Sequence, residues 1–359
     1  MEEPRTVIEG PRAARVEELA AVIRLSNHVF YPDGRVIMER VLPALFDPAN
    51  AHNLRVMVEG GVPVAMVGMT VNDLVMEEVS VRAACYGSVC TLESHRGRGL
   101  AAALMEDGIS YAVSQGASLA LISGKRGLYI RMRCIDAGLF AVIEVDGSRG
   151  RRDAASSDRA AGVTIRPWEE RDIPALEALH ANERVRFVRP PGEMAVLLRA
   201  RAMFCRPART WVIEQSGAVQ AYTCVSGPDD RTGPGVVLSR EVAGSRQAIV
   251  AAAPEVLRAE GAQRLDIEVP ASDELARLAT ARGLASRASG RHGTLKVIDR
   301  PTFLRAIGAR VRTWARPLPQ GPEELAALVF GSADRPVAAR AQAAAPFPLP
   351  LPGYGLNYI

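Results

Sequence analysis

The order of elements along this chain runs twice, and that recurrence limits the folds open to it more than any single motif does. "TVIEGPRAARVEELAAVIRLSN" and, later, "VTIRPWEERDIPALEALHANE" each place an Ile-bearing strand before a helical spacing of apolar residues. "LRVMVEGGVPVAMVGMTV" reads as two strands turning through Glu59, Gly60 and Gly61, and "TWVIEQSGAVQAYTCVSG" repeats the hairpin around Ser216 and Gly217. "VSVRAACYGSVCTL", "GLAAALMEDGISYAVSQG" and "ASLALIS" give strand, helix, strand, and "GVVLSREVAGSRQAIVAAAPEVLRAEGAQRLDIEVP" gives the same order. Recurrence of a whole element series is an internal duplication, and 359 residues suit two cores better than one. The polar, aperiodic stretch "SRGRRDAASSDRAAG" separates the copies. The expected division is a first domain over 1–147, a linker over 148–162, a second domain over 163–300 and a C-terminal extension over 301–359.

Composition narrows the function classes. Hydrophobic content of 48% with 23% charge is globular. A formal charge of +4 gives no general surface for a polyanion such as nucleic acid. Lys125 and Lys296 are the two lysines among 44 basic residues, so arginine by itself carries little functional information here. The five cysteines show no paired spacing, which points to reduced thiols and a cytoplasmic setting. No apolar run approaches the ~20 residues of a membrane span, and the five histidines sit at no metal-ligand spacing. No metal is expected.

The segment "SHRGRGLA", between a strand and an amphipathic helix, keeps its backbone bare over several residues and sets cations beside it. Uncapped N–H groups at a helix start, together with the helix dipole, make an anion site. Gly97 and Gly99 let the main chain come close to a ligand. Arg96 and Arg98 can add charge-assisted contacts. The alternative is a plain strand-to-helix turn on an arginine-rich chain. Neither the P-loop ending nor the ribose-binding acidic residue of a dinucleotide fold is present.

Arg96, Gly99 and Ala101 in the order Arg-x-x-Gly-x-Ala, after a strand and opening a helix, resemble the acetyl-CoA pyrophosphate loop of GCN5-related N-acetyltransferases (GNATs). With the duplication and the C-terminal extension, the chain is similar to the bacterial Eis-type (enhanced intracellular survival) tandem-GNAT acetyltransferases. The fold implied is α/β: two tandem GNAT folds, each a mixed, mainly antiparallel sheet flanked by helices, plus a short extension. The resemblance implies acetyl-CoA as co-substrate and a primary amine, on a small molecule or a lysine side chain, as acceptor. It also implies that Val89, Cys90 and Thr91 lie on the splayed strand along pantetheine, their N–H groups polarising the thioester carbonyl. Arg96, Gly97, Arg98, Gly99, Leu100 and Ala101 would hold the pyrophosphate. Tyr129, in "GLYIRMRC", would be the general acid for the departing thiolate. The carboxylate of Ile359, ending "GYGLNYI", would reach the active site and help deprotonate the amine. The family also forms closed homo-oligomers.

The departures are informative too. The residues after Tyr129 lack the glycine-rich, aromatic character of the family, which leaves a packing tyrosine as the other reading. The second copy has "SREVAGSRQAIV" where the loop should be, so the second domain is read as degenerate and without CoA. Cys90, with no base near it in sequence, reads as a packed or pantetheine-facing thiol rather than a nucleophile. His95 adjoins the loop, and Asp33, Asp73, Glu77 and Glu78 are candidate attractants for a cationic acceptor. Two other functions stay open on the same duplicated fold. One is a non-catalytic CoA-binding scaffold or sensor. The other is tRNA-dependent aminoacyl transfer, against which the intact first loop and the low net charge argue.

Overall fold

A computed structural model describes residues 7–147, 162–332 and 346–359. The expected linker, 148–162, lies outside the described residues except for Gly162. The first half runs β1 (Ile8–Ala13), α1 (Leu19–Phe30), α2 (Met38–Val41), β2 (Arg55–Glu59), β3 (Val62–Met76), β4 (Val79–Thr91), α3 (Leu100–Ser114), β5 (Leu119–Ile122), α4 (Gly127–Arg131) and β6 (Leu139–Asp146). The second runs β7 (Val163–Pro167), α5 (Ile173–Ala181), β8 (Val185–Phe187), α6 (Glu193–Ala200), β9 (Ala202–Met203), β10 (Arg206–Gln215), β11 (Ala218–Ser226), β12 (Val236–Gly244), α7 (Arg246–Ala259), β13 (Arg264–Pro270), α8 (Glu274–Ala281), β14 (Ala285–Gly290) and β15 (Thr294–Val297). The helices α9 (Arg300–Ala306), α10 (Gly308–Arg312) and α11 (Pro322–Phe330) follow. Both hairpins turn at the expected glycines, between β2 and β3 and between β10 and β11.

Two mixed sheets result. The first is ordered β1-β2-β3-β4-β5-β15, with β8 added beside β3. The second is β14-β6-β13-β12-β11-β10-β7, with β9 added beside β10. The sheets do not divide where the chain does. β6, from the first half, lies between β13 and β14 in the second sheet, and β15, from the second half, closes the first sheet against β5. β8 adds a further crossing by pairing Val185–Phe187 with Leu74–Met76 of β3. Each sheet is thus completed by a strand from the other copy.

The strand β5 shows why this sheet is central. Its four residues, Leu119–Ile122, are buried on both faces, as expected for a strand paired in parallel on one side and covered by elements above and below. Leu119 and Leu121 join the core under α1 and the C-terminal segment. Ala120 and Ile122 join the core under α3. The same alternation holds along β4, where Ala83 and Cys85 face the first core and Ala84 and Tyr86 the second. Among the described residues no helix is long and apolar enough to cross a membrane.

Candidate active site

The strands β4 and β5 run parallel from Ala83↔Leu119 to Tyr86↔Ile122 and then separate. At the separation β4 carries an extra residue: Met66 faces Cys90 and Gly68 faces Gly87, so two steps on β3 match three on β4. This is a β-bulge, with Ser88 at φ 50° and its hydroxyl 2.7 Å from that of Ser26. One inserted residue turns the following side chains over. Beyond the bulge Val89 packs on the α3 side and Cys90 on the other, the reverse of the parity before it. Leu92 N–H donates to Val64 O at 2.9 Å. N–H groups alternate sides along a strand, so those of Val89 and Thr91 face the open side. That of Cys90 faces β3, which differs from the expectation that all three N–H groups serve the cleft.

The cleft ends at the start of α3. Gly97 and Gly99 have φ 78° and 77°, a left-handed conformation that an L side chain would strain, and Gly99 is the N-cap with no side-chain cap bond. The first N–H groups of α3 are therefore left to water or a ligand. Nothing lies within 4 Å of where a Cβ at either glycine would sit. Arg96 and Arg98 are half exposed, each 3.9 Å from one carboxylate, Glu93 and Glu59 respectively. His95 is not directed at the loop: its ring sits between Ser94 Oγ at 2.8 Å and Glu59 at 2.9 Å.

Tyr129 lies on α4, immediately past the end of β5, buried in the α3-side core beside Gly124. Burial pushes its phenol up, against the Arg126 guanidinium, which pulls it down. Burial likewise raises the Cys90 thiol to about 12, again opposed by Arg126, so Cys90 is a packed thiol and no nucleophile at neutral pH. Arg126 went unnoticed in the sequence, where it is one arginine among many. In the fold it caps α4 and acts on both groups at the mouth of the cleft.

Ile359 arrives at the bulge from the far end of the chain. It is buried, and a Cβ on Gly87 would overlap its terminal carbon and oxygen. Beside it opens a cavity of about 350 Å³, lined among others by Asn50, Thr70, Asp73, Glu193 and Ile359. Of the acidic candidates only Asp73 lines this cavity, and it pairs with Arg82 at 2.9 Å. Glu77 and Glu78 are held by Arg310, and Asp33 is exposed beside Arg35. Glu193, on α6 of the second half, was not anticipated. Its Oε2 is buried without a hydrogen-bond partner among the described residues, and burial raises its pKa. No sequence signal marks it, because only the packing of the two halves brings α6 to this cavity.

The second sheet repeats the geometry with a different filling. β12 and β13 pair in parallel from Val236↔Arg264 to Ser239↔Ile267, then separate at a β-bulge where Val225 faces Ser239 and Cys224 faces Glu241. Here Ser245 caps α7 through the Ala248 N–H, and Arg246 is tied to Glu183 and Asp273, closing the place of an anion loop. Among the described residues no group of three or more His, Cys, Asp or Glu side chains could hold a metal.

Residues 11–132 match the acetyltransferase (GNAT) domain family. This chain carries a GNAT acetyltransferase domain. No curated protein matches it. Among solved structures it is similar to a probable N-acyltransferase of Enterococcus faecalis V583 (TM-score 0.60, 13% identity, 84% of this chain and 74% of that one). It is also similar to a GCN5-related N-acetyltransferase of Kribbella flavida (0.59, 15%, 84% and 74%) and to Eis1 of Mycobacterium abscessus (0.56, 17%, 82% and 74%). These likenesses run through both halves, and the architecture is the tandem GNAT fold.

Proposed function

We propose that this tandem GNAT protein is an acetyl-CoA-dependent N-acetyltransferase that lets a primary amine attack directly, without an acyl-enzyme. The observation that carries the reading is the meeting of three features at one cleft. These are the splay of β4 from β5, the uncapped glycine-rich start of α3, and Ile359 seated on Gly87. Acetyl-CoA supplies an acyl group activated as a thioester. The α3 N–H groups with Arg96, Gly97, Arg98, Gly99, Leu100 and Ala101 hold its pyrophosphate, and the open space over the two glycines is what a bound phosphate needs. Val89 and Thr91 N–H groups donate to the thioester oxygen as charge develops on it. The Ile359 carboxylate takes the proton of an ammonium whose ordinary pKa is about 10. Tyr129, kept neutral by its burial, gives its proton to the sulfur as the C–S bond breaks. The second half, its own anion loop closed, holds no cofactor and shapes the acceptor side. Assembly into a homo-oligomer, which the resemblance implies, is a matter for light scattering.

Isothermal titration of acetyl-CoA is the direct test, set beside the double variant Arg96→Glu with Gly99→Glu. Micromolar binding in the parent and none in the variant is expected. Equal heats from both would end the reading. A panel of a diamine, an aminoglycoside and a lysine peptide, followed by thiol release, then identifies the acceptor class. Tyr129→Phe lowers kcat by about 10²-fold or more on the scale of a lost general acid, with acetyl-CoA binding intact. Binding without turnover of any amine would favour the sensor reading instead.

A further inference from the structure

The two clefts open at equivalent bulges, and one stretch of chain visits both. Past the separation of β12 from β13, the C-terminal segment runs along the cleft and forms one wall of a cavity of about 620 Å³ that Glu241 and Glu268 also line. Gly353 lies against the Arg240 carbonyl, and a Cβ on Gly355 would overlap the Glu241 carboxylate. Glu241 is saturated by donors. Leu356 N–H reaches Oε2 at 2.8 Å, Tyr222 Oη–H reaches Oε1 at 2.8 Å, and Arg189 reaches both oxygens at 2.9 and 2.7 Å. The same guanidinium donates from Nε and Nη2 to Asn357 Oδ1 at 2.9 and 2.7 Å. Both members of the pair are almost fully buried, with side-chain exposures of 5% and 8%. Two residues after Asn357, the chain meets Gly87 at the bulge of β4.

We propose that the cleft of the second GNAT fold has become a clamp, in which Arg189 and Glu241 grip residues 355–357 and so set Ile359 over Gly87. Arg189, Glu241 and Asn357 are positioning residues for acetyl transfer at the other cleft. The inference rests on the reading of Ile359 as the base. A buried ion pair is weak evidence for net stability, and a simple surface tether would not need one. What a saturated, buried carboxylate provides is a single geometry, because every lone pair already has its donor. Placement within a fraction of an ångström is what a base at a reacting centre requires.

Asn357→Ala tests the clamp most cleanly, since it removes the tail's side chain and leaves the Arg189–Glu241 pair intact. Hydrogen exchange of the 354–359 amides should quicken by about 10-fold or more as the segment opens locally, with the rest of both sheets unchanged. The acceptor that turns over fastest should show kcat reduced about 10²-fold and an acetyl-CoA KM within about threefold of the parent, as for a lost transition-state placement. Added formate should recover part of the rate, and Asn357→Asp, which keeps the acceptor oxygen for Arg189, should return close to the parent. Glu241→Gln, if it folds, should behave as Asn357→Ala does. Parental exchange or parental kcat in a folded Asn357→Ala protein overturns the clamp. Deleting Ile359 separates the two ideas. If the deletion costs the rate and Asn357→Ala does not, only the clamp fails. If the deletion leaves the rate untouched, the base reading fails and the catalytic role of the clamp falls with it.

Discussion

At Gly87 the far end of the chain comes close against β4, and the contact exists because that residue has no side chain. Its backbone needs no special φ; what it provides is space, since a Cβ would overlap the terminal carbon and oxygen of Ile359. Gly87→Ala should therefore displace the tail rather than strain the strand. The expected outcome is a fall in kcat of about 10²-fold, with acetyl-CoA binding by titration within a few-fold of the parent. Full turnover in Gly87→Ala would remove Ile359 from the reaction. At this scale the sequence was legible where the signal is local. The bare turn and uncapped helix start in "SHRGRGLA" could be read because a strand, a glycine-rich turn and a helix start are adjacent in the chain. The dipeptide "GS" inside "CYGSVC" held the bulge that reorients Val89 and Cys90, and a glycine inside a strand is the usual sign of one. Glu193 and the Arg189–Glu241 pair could not be found that way. Glu193 reaches its cavity only through the packing of the two halves, and Arg189 meets Glu241 from far along the chain.

At the scale of elements, the duplication was readable and the pairing was not. Hydrophobic periodicity tells which residues face a core, but it does not tell which sheet a strand enters. β6 and β15 have ordinary strand patterns and join sheets built by the opposite halves. A protein made of residues 7–147 alone would leave β5 without β15, β3 without β8, and β6 without both of its neighbours. Exposed strand edges with apolar faces promote association. That fragment should be aggregated or only partly ordered by circular dichroism, and co-expression with residues 162–359 should restore a soluble complex. A soluble, cooperatively unfolding 7–147 fragment would show that the first sheet closes without β15.

For the whole molecule, buried His180 and half-buried His292 weaken the fold on the acid side of neutrality. Burial lowers His180 to about 4, with Arg189 and Arg186 adding to the effect and Glu241 and a bond to the Phe187 carbonyl opposing it. Burial lowers His292 to about 3, helped by Arg231, Arg240 and Arg291 and opposed by Asp229. Each folded value lies below the ordinary 6.5, so between those limits the unfolded chain binds more protons. Stability from these rings is complete above about pH 6.5 and drains away as the pH falls toward 4 and then 3, by up to roughly 3 kcal/mol for His180 and roughly 5 kcal/mol for His292. Glu193 and Glu268, raised by burial, pull the other way in part. Thermal midpoints should drop between pH 7 and pH 5, before most carboxylates titrate. A flat profile over that interval would mean that both rings accept a proton in place.

The strand exchange also sets a schedule for synthesis. The outer edge of β5 emerges early and has no partner until Thr294 follows. That interval spans roughly 170 residues, or about 10–30 s at ordinary elongation rates. The first copy cannot finish as an independent unit while the second is still being made, so the nascent chain carries an open sheet through most of translation. A duplication usually frees one copy to be lost, replaced or moved. Here each copy has lent a strand to the other, and neither can be altered alone.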